Sequence, residues 1–294
     1  MSSTEAVIAR FAAIDQWPSG EAVEAMLEGQ MAAIAAIKSQ TTLIAAAADA
    51  AAAHLAAGGR IIYAGAGTSG RIAVQDGVEL GPTFGWPVYR LSYLIAGGMA
   101  ALARSVEGAE DDADAARADV ARHSVGPADI VIGIAASGRT PFTIAVIEAS
   151  RAAGALTIAI ANNPDTPLLA AAHHALLADT GPELVAGSTR MKAGTAQKAI
   201  VNMLSTTIML RLGRVYQGLM VDMVISNDKL LRRALAIIRQ LAGCSESHAR
   251  DAIDLAGRDI KAAVLIAMGQ SPEAARLLLI AHQGILRDAV AAIA

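Results

Sequence analysis

Ile62-Tyr63-Ala64-Gly65-Ala66-Gly67-Thr68-Ser69-Gly70-Arg71 runs from a short apolar stretch straight into a glycine-rich turn. Such a junction reads as a buried strand delivering the chain to a helix. Gly65, Gly67 and Gly70 have the G-x-G-x-x-G spacing of a dinucleotide-binding turn. Gly65 and Gly70 also have the spacing of a nucleoside-triphosphate loop, but Arg71-Ile72 stands where that loop needs lysine and a hydroxyl residue. The reading of this stretch decides both the fold and the kind of phosphate compound it holds.

Working outward, residues 20–57 read as one or two helices stopped by Gly58-Gly59, and Arg60–Ala64 as the first strand. Arg71–Leu80 reads as a helix, Pro87–Leu94 as a second strand, and Met99–His123 as an acidic helical segment breakable at Gly108. Ile130–Ala135 is a third strand, followed by a helix over Phe142–Ala153, a fourth strand at Leu156–Ala161 and a fifth at His174–Leu177. Strands alternating with helices imply an α/β fold with a parallel sheet covered on both faces. Beyond Ser188 the pattern is helical, with a long helix over Lys192–Arg211 and at least three shorter ones over Asn227–Ala294, broken at Gly243 and Gly269. The expected organisation is an amino-terminal helical segment at 1–44, an α/β domain at 45–215 and a small helical domain at 228–294.

Composition agrees. In 294 residues, 54% apolar but only 3% aromatic and rich in alanine, helix is favoured over an all-β design. A net charge of −3 without a basic stripe argues against nucleic acid as partner. Cys244 is the only cysteine and the six histidines form no ligand pairing, so neither a disulfide framework nor a metal site is indicated. The start lacks a signal peptide, and the run Leu43–Ala57 carries Asp49 and His54 and is too short to span a bilayer, so a soluble, cytoplasmic protein is expected, with no membrane partner.

A dinucleotide turn needs a carboxylate near the end of the second strand, and Val88–Leu94 has none; Arg90 is a poor substitute. What remains is Thr68-Ser69-Gly70 at a helix start, where free N–H groups and hydroxyls make an anion site. Ser137-Gly138-Arg139-Thr140 repeats the arrangement after the third strand. Two hydroxyl-rich turns suit one phosphate monoester better than a pyrophosphate.

These two loops resemble those of sugar isomerase (SIS) domains, which bind phosphosugars. More narrowly, "GAGTSGR", Glu79 with "GPTFG", "VEGAED", "GIAASGRTP", "GSTRMKAGTAQK", "NMLST" and "LMVDM" resemble the N-acetylmuramic acid 6-phosphate etherases in order and spacing over residues 58–230, and the helical tail resembles that family's last domain. The resemblance implies a cytoplasmic homodimer, without metal or nucleotide cofactor, that cleaves the D-lactyl ether of its substrate in peptidoglycan recycling. It implies catalytic roles for Glu79, as the acid protonating the departing lactate oxygen, and Glu107, as the base at C2. It implies substrate contacts from Thr68, Ser69, Gly70, Arg71, Ser137, Gly138, Thr140, Ser188, Lys192 and Lys198.

The chemistry fits these residue types. An ether resists direct hydrolysis, but with the ring opened the C2 proton lies beside an aldehyde, so a base and an acid suffice for elimination and water then adds back. The chain departs from the family at Val78-Glu79-Leu80-Gly81-Pro82, where Ser-Glu-Cys-Pro-Pro is usual, and over Thr4–Gln30. Two other readings remain open: a phosphosugar-sensing regulator akin to glucokinase regulatory protein, and an aldose–ketose isomerase on the same fold.

Overall fold

The computed structural model describes residues 3–104 and 106–293. The chain gathers into two compact units, one of Met1–Gly77 with Tyr89–Thr207, the other of Val78–Val88 with Ile208–Ala294. The amino-terminal segment 1–44 thus packs within the first unit, and the division after Thr207 falls inside a helix.

The first unit is built on five parallel strands, β1 (Ile61–Gly65), β2 (Leu91–Ile95), β3 (Ile130–Ile134), β4 (Leu156–Ala161) and β5 (His174–Leu177), in the order β2-β1-β3-β4-β5. Every residue of β1, β3 and β4 is buried, which is why these strands read as unbroken apolar runs. Helices α1 (Ser19–Ala36) and α2 (Thr41–Ala56) precede the sheet; α3 (Gly67–Phe84), α4 (Ala113–Arg122), α5 (Pro141–Ala152), α6 (Pro167–Ala171) and α7 (Lys192–Arg211) follow in turn. By length and composition alone the run Ser19–Ala56 would suffice to cross a membrane. The 3-10 turn Lys38–Gln40 divides it, however, and α2 buries Ile44, Ala47, Ala48, Ala51, Ala52 and Leu55. At the sheet's edge Leu177 N–H donates to Gln40 Oε1 at 3.0 Å.

Three local expectations are corrected. The glycine turn is already helical: α3 starts at Gly67, four residues before the expected start. The second strand starts at Leu91, because Val88–Arg90 forms a 3-10 turn. There Arg90 reaches back to the main chain, its Nε donating to Gly59 O at 2.8 Å, which also removes it as a ribose-phosphate ligand. Among the described residues of Met99–His123 only α4 is α-helical. The rest breaks into 3-10 turns at Met99–Leu102 and Ala109–Asp111 around Gly98 and Gly108, both at positive φ, and Asp112 caps α4 by accepting from Ala115 N at 2.8 Å.

Opposite the glycine turns, at the amino ends of β1 and β3, Arg60 and Asp129 form a two-point ion pair, Nε to Oδ1 at 3.0 Å and Nη2 to Oδ2 at 2.6 Å. Burial pushes the Asp129 carboxyl up, but the guanidinium and the Gly126 and Arg60 amides outweigh it and hold it below the usual range.

The second unit holds α8 (Asp228–Ala242), α9 (Glu246–Leu255), α10 (Ile260–Ala267), α11 (Pro272–Ala281) and α12 (Leu286–Ala291). Asn227, Ser245, Asp259 and Ser271 cap α8 to α11 through side-chain oxygens, and Gly243 ends α8 in the left-handed conformation. α10 is buried along its whole length, and its Lys261 is paired with Asp222.

Candidate active site

At the carboxyl edge of the sheet, β1 lies between β2 and β3, so the chain leaves β1 toward one side and leaves β3 on the other. Such a switch point opens a crevice between the two following loops. The crevice here is a cleft of about 350 Å³, and Thr68, Ser69, Ser137, Arg139 and Thr140 all line it. The two hydroxyl turns singled out by their shared Ser-Gly-Arg therefore do meet.

They are built differently. In the first, Gly65 and Gly70 face each other, and a Cβ on Gly65 would lie 3.0 Å from Gly70 N and from Ile134 O. Only bare backbone lets α3 rise so close to the sheet. Gly70 N–H bonds Ala66 O at 3.1 Å, while the amides just before it belong to the helix's first turn, where no carbonyl of the helix itself is available. Ser69 is buried, and its hydroxyl donates to Gln197 Oε1 at 3.0 Å. Gln197 Nε2 in turn donates to Asn162 Oδ1 at 2.9 Å, and Asn162 Nδ2 to Ala178 O at 3.0 Å. The Ala178 carbonyl, which can only accept, thus fixes both amide orientations and leaves Ser69 as the donor. Arg71 points away from the turn, its Nε on Leu102 O at 2.9 Å and an Nη on Ala101 O at 3.0 Å.

In the second turn, Gly138 has φ +63° and sits against Thr166, where a Cβ would meet Oγ1 at 2.3 Å. Ser137 Oγ accepts from Arg139 N at 3.1 Å, and Thr140 precedes α5 without spending its side chain on a cap. Pro141 starts that helix, so one amide is absent there.

A second, adjoining cleft of about 220 Å³ is lined by Arg71, Glu107 and Glu110 among others. Glu110 lines both clefts, together with Ala66 and Gly67. Glu107 is exposed and lines only the second. Glu79 is exposed on α3, in the stretch that belongs to the second unit.

The third loop is set by Glu183, almost fully buried, whose carboxylate accepts from Lys192 N at 3.0 Å and Ala193 N at 2.9 Å and so caps α7. This places Gly187 and Thr189 on the first cleft; its lining includes Thr189 but not the neighbouring Ser188. The Lys192 ammonium is held by Pro182 O at 3.0 Å, and Lys198 is exposed farther along α7. The sequence reading missed Glu110, Thr189, Thr4 and Glu5 as cleft residues. Glu110 sat in the quoted "VEGAED"; the amino-terminal pair carried no motif.

Behind the first turn, Asp76 on α3 is buried and accepts from Tyr63 Oη at 2.5 Å, Ser205 Oγ at 3.1 Å and Asn202 Nδ2. Burial holds its carboxyl above the usual range despite these donors. Tyr93, stacked on Tyr63, is pushed up to about 12 by burial and by the Asp76 charge. Among the described residues no group of three or more His, Cys, Asp or Glu side chains gathers to hold a metal.

Known proteins share this architecture. The model of the glucokinase regulatory protein N-terminal SIS domain matches residues 43–151, and that of the same protein's C-terminal lid domain matches 217–257. A solved chain from Bacteroides fragilis, described as a phosphosugar isomerase involved in capsule formation, shares the fold at TM-score 0.53 and 19% identity, over 68% of this chain and 95% of its own. The N-acetylmuramic acid 6-phosphate etherase of Deinococcus radiodurans is 44% identical over 93% of this chain and 91% of its own length. That of Symbiobacterium thermophilum is 48% identical over 86% and 84%, and that of Streptomyces coelicolor 44% over 99% and 94%. Identity of this order over nearly the whole of both chains, on a sheet whose two hydroxyl turns meet at one cleft, places this chain in the N-acetylmuramic acid 6-phosphate etherase family.

Proposed function

We propose that the chain cleaves the D-lactyl ether of N-acetylmuramic acid 6-phosphate, giving N-acetylglucosamine 6-phosphate and D-lactate. The observation that carries this reading is the near end-to-end likeness to etherases; the matches to glucokinase regulatory protein cover separate pieces only. In this reading the phosphate rests on the amides of Thr68 and Ser69 and on the hydroxyls of Thr68, Ser137 and Thr140, while the Ser69 hydroxyl holds the turn in place through Gln197.

With the sugar ring open, a carboxylate takes the C2 proton. The C3–O bond then breaks, its electron pair leaves on the lactyl oxygen, and an acid protonates that oxygen. Water adds across the C2–C3 double bond, its oxygen at C3 and a proton at C2. Glu79 is the proposed acid. The base comes from the 107–110 turn: Glu107 by the family resemblance, with Glu110 the competing carboxylate because it lines both clefts.

We further infer a cytoplasmic homodimer. Val23, Leu27, Met31 and Ile34 stand half or more exposed in a stripe along α1, an apolar surface that a second copy would cover. Incubation with N-acetylmuramic acid 6-phosphate should release D-lactate, and no lactate with phosphosugar binding intact would favour a sensor instead. Glu79→Gln, and whichever of Glu107→Gln and Glu110→Gln removes the base, should each lower turnover about 10²- to 10⁴-fold while sparing product binding. The same preparation should sediment as a dimer; a monomer at assay concentration removes that part.

A further inference from the structure

The amino-terminal turn, Ser3–Glu5, comes from outside the β-α repeat, yet Thr4 and Glu5 line the cleft that holds both hydroxyl turns. Thr4 is 1% exposed. Its N–H donates to Asn163 Oδ1 at 3.4 Å, its Oγ1 accepts from Asn163 Nδ2 at 3.1 Å, and its carbonyl accepts from Gly187 N at 3.2 Å. Asn163 is itself anchored, its Nδ2 also donating to Ala136 O at 2.9 Å, one residue before Ser137. Holding a short isolated turn in one place costs conformational entropy. Bonds from the loop after β4 and from the loop ahead of α7 tie this one down. Thr4 is a built wall of the cleft.

The pinned Thr4 carries Glu5 into the cleft. There Glu5 lines the same space as Glu110, Asp111, the hydroxyl turns and Arg139. These groups sort a ligand by charge. A phosphate is attracted to hydroxyls, helix-start amides and a guanidinium, and repelled by carboxylates. Sugar hydroxyls and an amide N–H are donors, which carboxylates accept. Once the phosphate settles on the turns, the donor-rich remainder of the ligand is left for the carboxylates. Glu110 lies in the turn already invoked for proton transfer; Glu5 is held by an independent element.

We propose that Glu5 is a specificity-determining residue whose carboxylate accepts a hydrogen bond from a hydroxyl or amide N–H of the bound phosphosugar, and that Thr4 positions it. This rests on the reading of the cleft as a phosphosugar site. It gives the amino-terminal turn two tasks: to reject phosphate from the wrong end of the cleft and to hold the sugar.

The test compares two ligands, N-acetylglucosamine 6-phosphate and inorganic phosphate, by calorimetry on the full chain. Glu5→Gln should weaken the phosphosugar about tenfold, the loss of a charged acceptor. The same change should leave inorganic phosphate unchanged or bound more tightly, since a repelling charge is gone. A structural defect would weaken both, so a parallel fall, or no change in either, overturns the proposal. Thr4→Val should weaken the phosphosugar less than Glu5→Gln, again with inorganic phosphate spared; full affinity in that variant overturns the positioning role. Wild-type protein that binds the phosphosugar yet releases no D-lactate sinks the proposed reaction and leaves this comparison standing. Wild-type protein that binds neither ligand overturns both.

Discussion

The two turns that begin Ser-Gly-Arg look like copies and behave as opposites. The first is tethered: Ser69 is committed to Gln197, Arg71 to the carbonyls of Ala101 and Leu102, and Gly70 lies inside a helix. The second is more open: among the described residues Ser137 Oγ is engaged by its own neighbour's amide, the exposed Arg139 makes one long bond from Nη2 to Asp165 O at 3.4 Å, and Gly138 stands in the left-handed region before α5 begins. A shared tripeptide therefore marks a shared place, the carboxyl edge of the sheet, and not a shared conformation. The tethered turn offers a rigid row of amides, and the open one offers hydroxyls free to rotate onto a ligand.

The difference is sharpest at the two glycines. Gly138→Ala forces a side chain into positive φ and against Thr166, so we expect a loss of about 4 kcal/mol in urea unfolding. Gly70→Ala meets Gly65 O at 3.1 Å and Ile95 Cγ2 at 3.3 Å with ordinary helical φ, and should cost about 1 kcal/mol. Equal losses would mean that the turns are alike after all.

Cutting the tether comes next. Gln197→Leu leaves the Ser69 hydroxyl and Asn162 Oδ1 buried without their partner, a loss of about 2–3 kcal/mol. It should also weaken inorganic phosphate binding, because the first turn is no longer fixed. Unchanged phosphate affinity would show that the tether serves stability alone.

The smallest effect is on pH dependence. The Asp76 carboxyl is held above its usual range chiefly by burial, so its stabilising contribution is complete below the unfolded value near about 4 and is lost as pH rises through the folded one. The stability of the wild type relative to Asp76→Asn should therefore decline from pH 4 toward neutrality. A difference that stays flat over that range would show that the hydrogen bonds from Tyr63, Asn202 and Ser205 cancel the effect of burial on the carboxyl.

The parts of the molecule legible in the sequence were those whose causes are local. β4, β5 and α7 run over Leu156–Ala161, His174–Leu177 and Lys192–Arg211, as the apolar runs and helical pattern predict. The helix starts after Gly243 and at Ser271-Pro272 follow from left-handed glycine and a hydroxyl cap. The meeting of the two turns followed from parallel topology. Thr4 with Asn163 and Ser69 with Gln197 could not be read, since their partners lie 159 and 128 residues away. The 3-10 turn at Val88–Arg90 was hidden for the same reason, because the Gly59 carbonyl that Arg90 binds belongs to another element.

The Gln40 side chain on the edge of β5 has a consequence for behaviour in crowded solution. A sheet that ends in a bare strand presents a row of unpaired amides, on which a strand of another molecule can nucleate. Here the outward amide of Leu177 is already occupied by Gln40 Oε1, supplied by the turn that leads into α2. A side chain costs the fold almost nothing in this position, yet it removes one rung from the ladder that an aggregating partner would need. The break between α1 and α2 thus does more than turn the chain: it guards the sheet's end.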